Sequence, residues 1–111
     1  MQVKIEDKNE VKICYINGEI DINSAPQIKK IFDKIISEKS NKVLVNLKDV
    51  SYVDSSGLAT MVEMLKNIRT YGGKMKISNL SQKVKSLFEI TKLDKLFGIK
   101  IDESDGINSY S

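Results

Sequence analysis

Apolar and polar residues alternate at the start of the chain. Val3 and Ile5 sit between polar neighbours, and Val11, Ile13 and Tyr15 repeat the pattern after the polar segment Glu6-Asp7-Lys8-Asn9-Glu10. Period-two alternation marks a strand with one buried face, so the pattern predicts two strands joined by a turn, a hairpin opening the domain. Asn17-Gly18 is a turn signal that ends the second strand, and Glu19-Ile20-Asp21-Ile22-Asn23 leads on as a loop. Ser24-Ala25-Pro26-Gln27 then combines a serine cap, a proline in the first turn and a glutamine three residues after the cap, the capping-box pattern of a helix start.

Downstream of that cap, Ile28, Ile31, Phe32, Ile35 and Ile36 fall three and four apart, which gives the helix one apolar face to bury. Lys42-Val43-Leu44-Val45-Asn46-Leu47 is a short, nearly continuous apolar run rich in β-branched residues, as expected of a central strand covered on both faces. Val50 and Val53 follow, then Asp54-Ser55-Ser56-Gly57, then Leu58, Met61, Val62, Leu65 and Ile68 at helical spacing up to Gly72-Gly73. Lys74 to Ser78 reads as a further strand, Ser81 caps a helix carrying Val84, Leu87 and Phe88, and Leu93, Leu96, Phe97, Ile99 and Ile101 predict a short last strand near Gly98. Residues 102–111 have little to bury and are expected to form a loosely ordered tail. Strands alternating with helices imply right-handed crossovers, so the fold class is α/β: one domain over residues 1–111, with a mixed, largely parallel sheet of four to five strands.

Composition changes this picture mainly by exclusion. The 111 residues suit one core. No apolar run approaches the roughly 20 residues of a membrane-spanning helix, and the N-terminal alternation is unlike a signal peptide, so a cytoplasmic protein with no membrane partner is expected. There is no histidine and a single cysteine, Cys14. That leaves no internal disulfide, no zinc-type cluster and no imidazole base for Ser-His-Asp or Cys-His chemistry. Cys14, within an alternating strand, reads as a small buried residue. The net charge is +3, but the basic residues are spread among acidic ones, so no nucleic acid partner is indicated.

The chemistry concentrates at Asp54-Ser55-Ser56-Gly57-Leu58, between a buried strand and an amphipathic helix. Helix starts present backbone N–H groups without partners and favour anions, so a phosphoserine is tolerated there. Gly57 would let the backbone of a kinase or partner approach closely. The same residue types are common helix caps, and capping and phosphorylation are compatible if one hydroxyl caps while the other faces solvent.

Gly18-Glu19-Ile20-Asp21, the strand Val43 to Leu47, Asp54-Ser55-Ser56-Gly57-Leu58 and Gly72-Gly73 occur in the order seen in STAS domains, and the chain resembles the stand-alone bacterial anti-sigma factor antagonists over nearly its whole length. The resemblance implies that Ser55 is phosphorylated by an anti-sigma factor that is itself an ATP-dependent serine kinase. It implies that the unphosphorylated form binds this kinase and frees a sigma factor, and that a PP2C-type phosphatase restores that form. The protein would then be a substrate rather than an enzyme, with no cofactor. Independently of the resemblance, a monomer is expected when unbound, although the exposed edge strand of the opening hairpin could pair with a partner or another copy. Asp21, Asp54, Ser56 and Gly57 would flank Ser55 on the switch surface, where the Asp21 and Asp54 carboxylates would repel an added phosphate. Asp21 can equally be a turn residue completing the Asn17-Gly18 break. Ala59 stands where many family members carry glycine. A different role on the same fold is a scaffold or sensor module of another signalling complex. A receiver-like use of Asp54 lacks the second acidic pair for magnesium, and Gly72-Gly73 lacks the lysine-serine phosphate loop of a nucleotide site.

Overall fold

The computed structural model describes all of residues 1–111. Strands β1 (Gln2–Lys8) and β2 (Val11–Ile20) form the opening hairpin, followed by α1 (Ala25–Ser37), β3 (Lys42–Val53), α2 (Ser55–Arg69), β4 (Lys74–Ser78), α3 (Gln82–Ile90), a single 3₁₀ turn at Leu93–Lys95, β5 (Gly98–Lys100) and α4 (Glu103–Asn108). The five strands lie in the order β1-β2-β3-β4-β5. The first pair is antiparallel and the other three are parallel, the mixed α/β sheet expected from the sequence. No helix is long and apolar enough to cross a membrane.

The hairpin turn is tighter than the polar segment suggested. Asn9 and Glu10 alone make it, both with positive φ (51° and 66°), the backbone of a two-residue turn whose twist matches the strands. Asn17-Gly18 does not end β2: the strand runs on to Ile20, and the two residues sit at irregularities in its register with β3. Gly18 has φ +123°, a conformation open to glycine, so the turn signal here marks a bulge within the strand.

Pleating sorts the sheet into two unequal faces. Cys14, Ile16, Val43, Val45, Leu47, Met75 and Ile77 point to one side and join Ile28, Phe32 and Ile35 of α1, Met61, Met64, Leu65 and Ile68 of α2, and Val84 and Phe88 of α3 in the main core. Phe97 closes one end, its ring edge-on to Phe88 at 5.7 Å between centroids. Because the chain always steps from one strand to the next on the same side, right-handed crossovers put all three of these helices on one face.

The opposite face carries Val11, Ile13 and Leu44, packed against Ile107 and Tyr110. Residues 102–111 therefore do not form the loose tail expected from their composition: Glu103–Asn108 is helical and is tied to the sheet. Glu103 accepts hydrogen bonds from the Tyr15 hydroxyl and from Asn46 Nδ2 (3.4 Å), and its other oxygen takes Lys8 Nζ at 2.9 Å. Burial pushes the Glu103 carboxyl up, but the bonds from Tyr15 and Lys8 outweigh it and hold the carboxyl below the usual range. Tyr110 donates to the Val43 carbonyl at 2.7 Å. Only two apolar side chains were needed to bury what three sheet residues exposed, too few to show as a periodic pattern.

Gly106 rests on Leu44: a Cβ there would lie 2.7 Å from both Leu44 methyl carbons. Gly106→Val should therefore lift α4 from the sheet and cost about 1–3 kcal/mol of stability. Chemical denaturation would read the loss, with faster amide exchange over residues 103–108; Ile101→Ser, at an exposed position, should change neither.

Candidate functional site

Strands β2 and β3 run parallel, so their carboxyl ends, Ile20 and Val53, arrive side by side and the two loops that follow meet. Loops outside the carboxyl ends of parallel strands are where α/β folds usually place their sites. Asp54 joins them. Its backbone N–H donates to the Ile20 carbonyl at 3.1 Å. Its Oδ1 accepts from the Gly57 N–H at 2.9 Å, capping α2, while Oδ2 accepts from the Ile22 N–H at 3.1 Å, across the gap to the other loop.

Asp54, rather than either serine, is thus the cap of α2, which leaves Ser55 and Ser56 as the first helical residues. Ser55 is exposed and Ser56 half-buried, and their N–H groups stand in the first turn where a helix offers no internal acceptor. The Ser55 hydroxyl makes no intramolecular hydrogen bond, so it combines exposure with an anion-favouring backbone.

Gly57 serves a different purpose from the one expected. It is buried, and a Cβ on it would meet the Ile20 carbonyl oxygen at 2.3 Å and the Ile20 Cγ2 at 2.7 Å. The missing side chain makes room for β2 inside the molecule, not for a partner outside it.

The Asp21 side chain builds the second loop. Its Oδ1 accepts from the Asn23 and Ser24 N–H groups, both at 2.9 Å. The expected capping box is absent: Ser24 does not cap α1 with its side chain but donates from Oγ to the Glu19 carbonyl at 2.7 Å and accepts from the Asp21 N–H at 2.9 Å. Bonds from the Ser24 backbone first, and from Asn23, hold the Asp21 carboxyl below its ordinary value of 3.8. Because Ile22 follows Asp21 and bonds to Asp54, the Asp21 turn, Asp54, Ser55, Ser56 and Gly57 form one continuous patch of backbone.

Beside Ser55 opens a groove of about 600 Å³ between the end of β3, the start of α2 and α3, lined among others by Tyr52, Leu58, Lys83, Leu87 and Ile90. Ile90 is 79% exposed and Tyr52 42%, and Ile22, whose N–H bonds to Asp54, is 68% exposed. Lys83 Nζ lies 5.7 Å from the centre of the Tyr52 ring. The helical pattern singled out Val84, Leu87 and Phe88 and passed over Ile90, which falls off that stripe; an apolar residue outside the buried face was the available signal.

A serine hydroxyl without an internal partner thus stands exposed at a helix start of a small mixed α/β domain, with exposed apolar side chains nearby. The chain belongs to the STAS domain family, whose model matches residues 2–106. It is 35% identical over 104 residues to the anti-sigma-B factor antagonist of Bacillus subtilis, covering 92% of each chain. It is 30% identical over 105 residues to that of Listeria monocytogenes, covering 95% of this chain and 91% of the relative. Among solved structures, a candidate anti-sigma factor antagonist from Thermotoga maritima superposes with a TM-score of 0.91 at 29% identity, over 96% of this chain and 92% of that one.

The seam between the loops can be probed at two positions. Gly57→Ala should destabilise the fold by about 1–3 kcal/mol or more, since its new atom meets backbone that cannot swing away, whereas Ala59→Gly on the exposed side should cost about 0.5–1 kcal/mol; thermal unfolding separates them. For Asp21 the depressed carboxyl contributes stability above its unfolded value, and that contribution is lost as pH falls through the lower folded value. Asp21→Asn should therefore flatten the part of the acid-unfolding curve below about pH 4, measured by circular dichroism across pH.

Proposed function

We propose that this protein is an anti-sigma factor antagonist that binds an anti-sigma factor through the surface around Ser55, releasing a sigma factor, and that phosphorylation of Ser55 switches this binding off. The observation that carries the reading is the position of the Ser55 hydroxyl: exposed, first in α2, and at the lip of the Tyr52–Ile90 groove. The names of relatives similar over more than nine-tenths of the chain support the same role.

In the switching step the Ser55 oxygen takes the γ-phosphoryl group of ATP, ADP leaves, and the hydroxyl proton passes to a base on the kinase. A PP2C-type phosphatase reverses it with water, returning serine and inorganic phosphate. The product carries about −1.5 to −2 charges, and the α2 dipole offsets only about 0.3–1 kcal/mol at such an exposed position. The helix therefore tolerates the phosphate. The surroundings of a docked partner would not: the dianion sits beside Asp54 and next to exposed apolar side chains, and burying an unpaired charge against them is expensive. Binding is then lost without a change of fold.

The test is phosphopeptide mass spectrometry after incubation with ATP and the cognate anti-sigma factor, alongside titration of that factor with each form. The expected result is phosphate on Ser55, none in Ser55→Ala, and at least about tenfold weaker binding of the phosphorylated protein. Modification at Ser56 alone, or equal affinity of both forms, would discard the switch and leave a phosphorylation-independent interaction module.

A further inference from the structure

The outer edge of β1 is open, and its sequence is self-complementary. In the hairpin, Lys8 pairs with Val11 across the two-residue turn, and the register continues Glu6↔Ile13, Lys4↔Tyr15 and Gln2↔Asn17. A two-residue turn of this kind closes on a hydrogen-bonded pair, so Lys8 and every second residue before it turn their backbone groups inward to β2. Val3, Ile5 and Asp7 turn theirs outward, and no turn, loop or side-chain hydrogen bond in the molecule reaches them. Ile5 is 37% exposed although its side chain points to the core side of the sheet.

We infer that this edge pairs antiparallel with the β1 edge of a second copy, centred on Ile5, making a two-fold dimer with a continuous ten-stranded sheet, twice the five strands of one copy. The register follows from the side chains. A two-fold axis through Ile5 sets Ile5 opposite its own mate, Val3 opposite Asp7, Lys4 opposite Glu6 and Gln2 opposite Lys8. All three outward residues then meet outward residues. Each brings one donor and one acceptor, so the pairing forms six backbone hydrogen bonds. Lys4 and Glu6 meet as non-hydrogen-bonded pairs, the closer kind, with Cα atoms about 4.5 Å apart, twice over by symmetry.

The two adjacent registers, and the one centred on Asp7, keep the helices of both copies on one side but fail on charge; centring on Val3 avoids like charges but leaves Glu6, Asp7 and Lys8 without mates in the partner's β1. Centring on Lys4 opposes Lys4 to Lys4, centring on Glu6 opposes Glu6 to Glu6 and Lys4 to Lys8, and centring on Asp7 opposes Asp7 to Asp7; like charges directly opposite destabilise a sheet. Within one copy Lys4 already lies 2.9 Å from Glu6, and Lys8 lies 3.6 Å from it, so the charges stand on one face of the strand ready to meet a mate. Lysines on an edge ordinarily discourage pairing; here the alternation with Glu6 makes them selective for one register. This replaces the monomer expected from the sequence, and Ser55, which follows β3 at the start of α2, is not among the paired residues.

The test is sedimentation velocity on the full chain from about 10 µM to about 1 mM, the range for a small, edge-sized contact. The wild type should move from monomer to dimer across the series, less so at high salt. Glu6→Lys and Lys4→Glu should each weaken self-association at least about tenfold. An equimolar mixture of the two should dimerise again, because an edge that is positive at both positions then faces one that is negative at both; this recovery also shows that both variants fold. A wild type that stays monomeric throughout, or a mixture that associates no better than its components, would overturn the proposal.

Discussion

Helix α2 begins where it does because its first turn rests on the last peptide of β2, with the Gly57 backbone against the Ile20 carbonyl. That approach admits no side chain, and it is clamped by one carboxylate, Asp54, holding an N–H from each loop. The arrangement fixes the direction in which α2 leaves the sheet. With the helix so placed, Leu58, Met61 and Leu65 reach the core, Ser55 is left at the surface, and the groove toward α3 acquires its lip. The position of the serine is thus a by-product of packing: the residues that bury the helix also decide which hydroxyl water can reach.

Most of the architecture was legible because it rests on period. The apolar spacing of α1 and α2 and the continuous run Val43 to Leu47 each have one physical solution, and Ser81 caps α3 as its residue type suggested, accepting from the Val84 N–H at 3.2 Å. What failed to read were local choices among equivalent polar groups. Ser24 and Asp21 both had the chemistry to organise the start of α1, and Asp21 did so; Asp54 displaced the serines as the cap of α2. Asn17-Gly18 carried the composition of a turn, yet the neighbouring strand continued past it and drew β2 along as a bulge.

The surface around Ser55 shows the same division. Asp21, Asp54, Ser55 and Ser56 fall together as the family resemblance implied, with Asp21 also the turn residue its type suggested, while Gly57 lies beneath them and acts on the interior. Tyr52, Lys83 and Ile90 come from elements far apart in sequence and meet only through the packing of α3 beside β3. A surface built from three elements has no linear signature, and single exposed apolar residues are common enough on any protein to pass unnoticed. The second sheet face was hidden for a related reason: Leu44 looked like part of a run buried on both sides, but nothing in its neighbourhood said that α4 would supply the cover.

The order of strands in the sheet is also the order in which they are made. Each strand from β2 onward pairs with the one synthesised just before it, so every chain closure spans a single hairpin or one strand-helix-strand unit, and an edge is always waiting for the next addition. Loop-closure entropy is met in small instalments. Folding can therefore advance from the N-terminal hairpin while the ribosome is still at work. The exception is the face that carries Val11, Ile13 and Leu44, which stays wet until α4 is made and settles over it. A nascent chain paused before that point would be a nearly complete sheet with Val11, Ile13 and Leu44 bare to water.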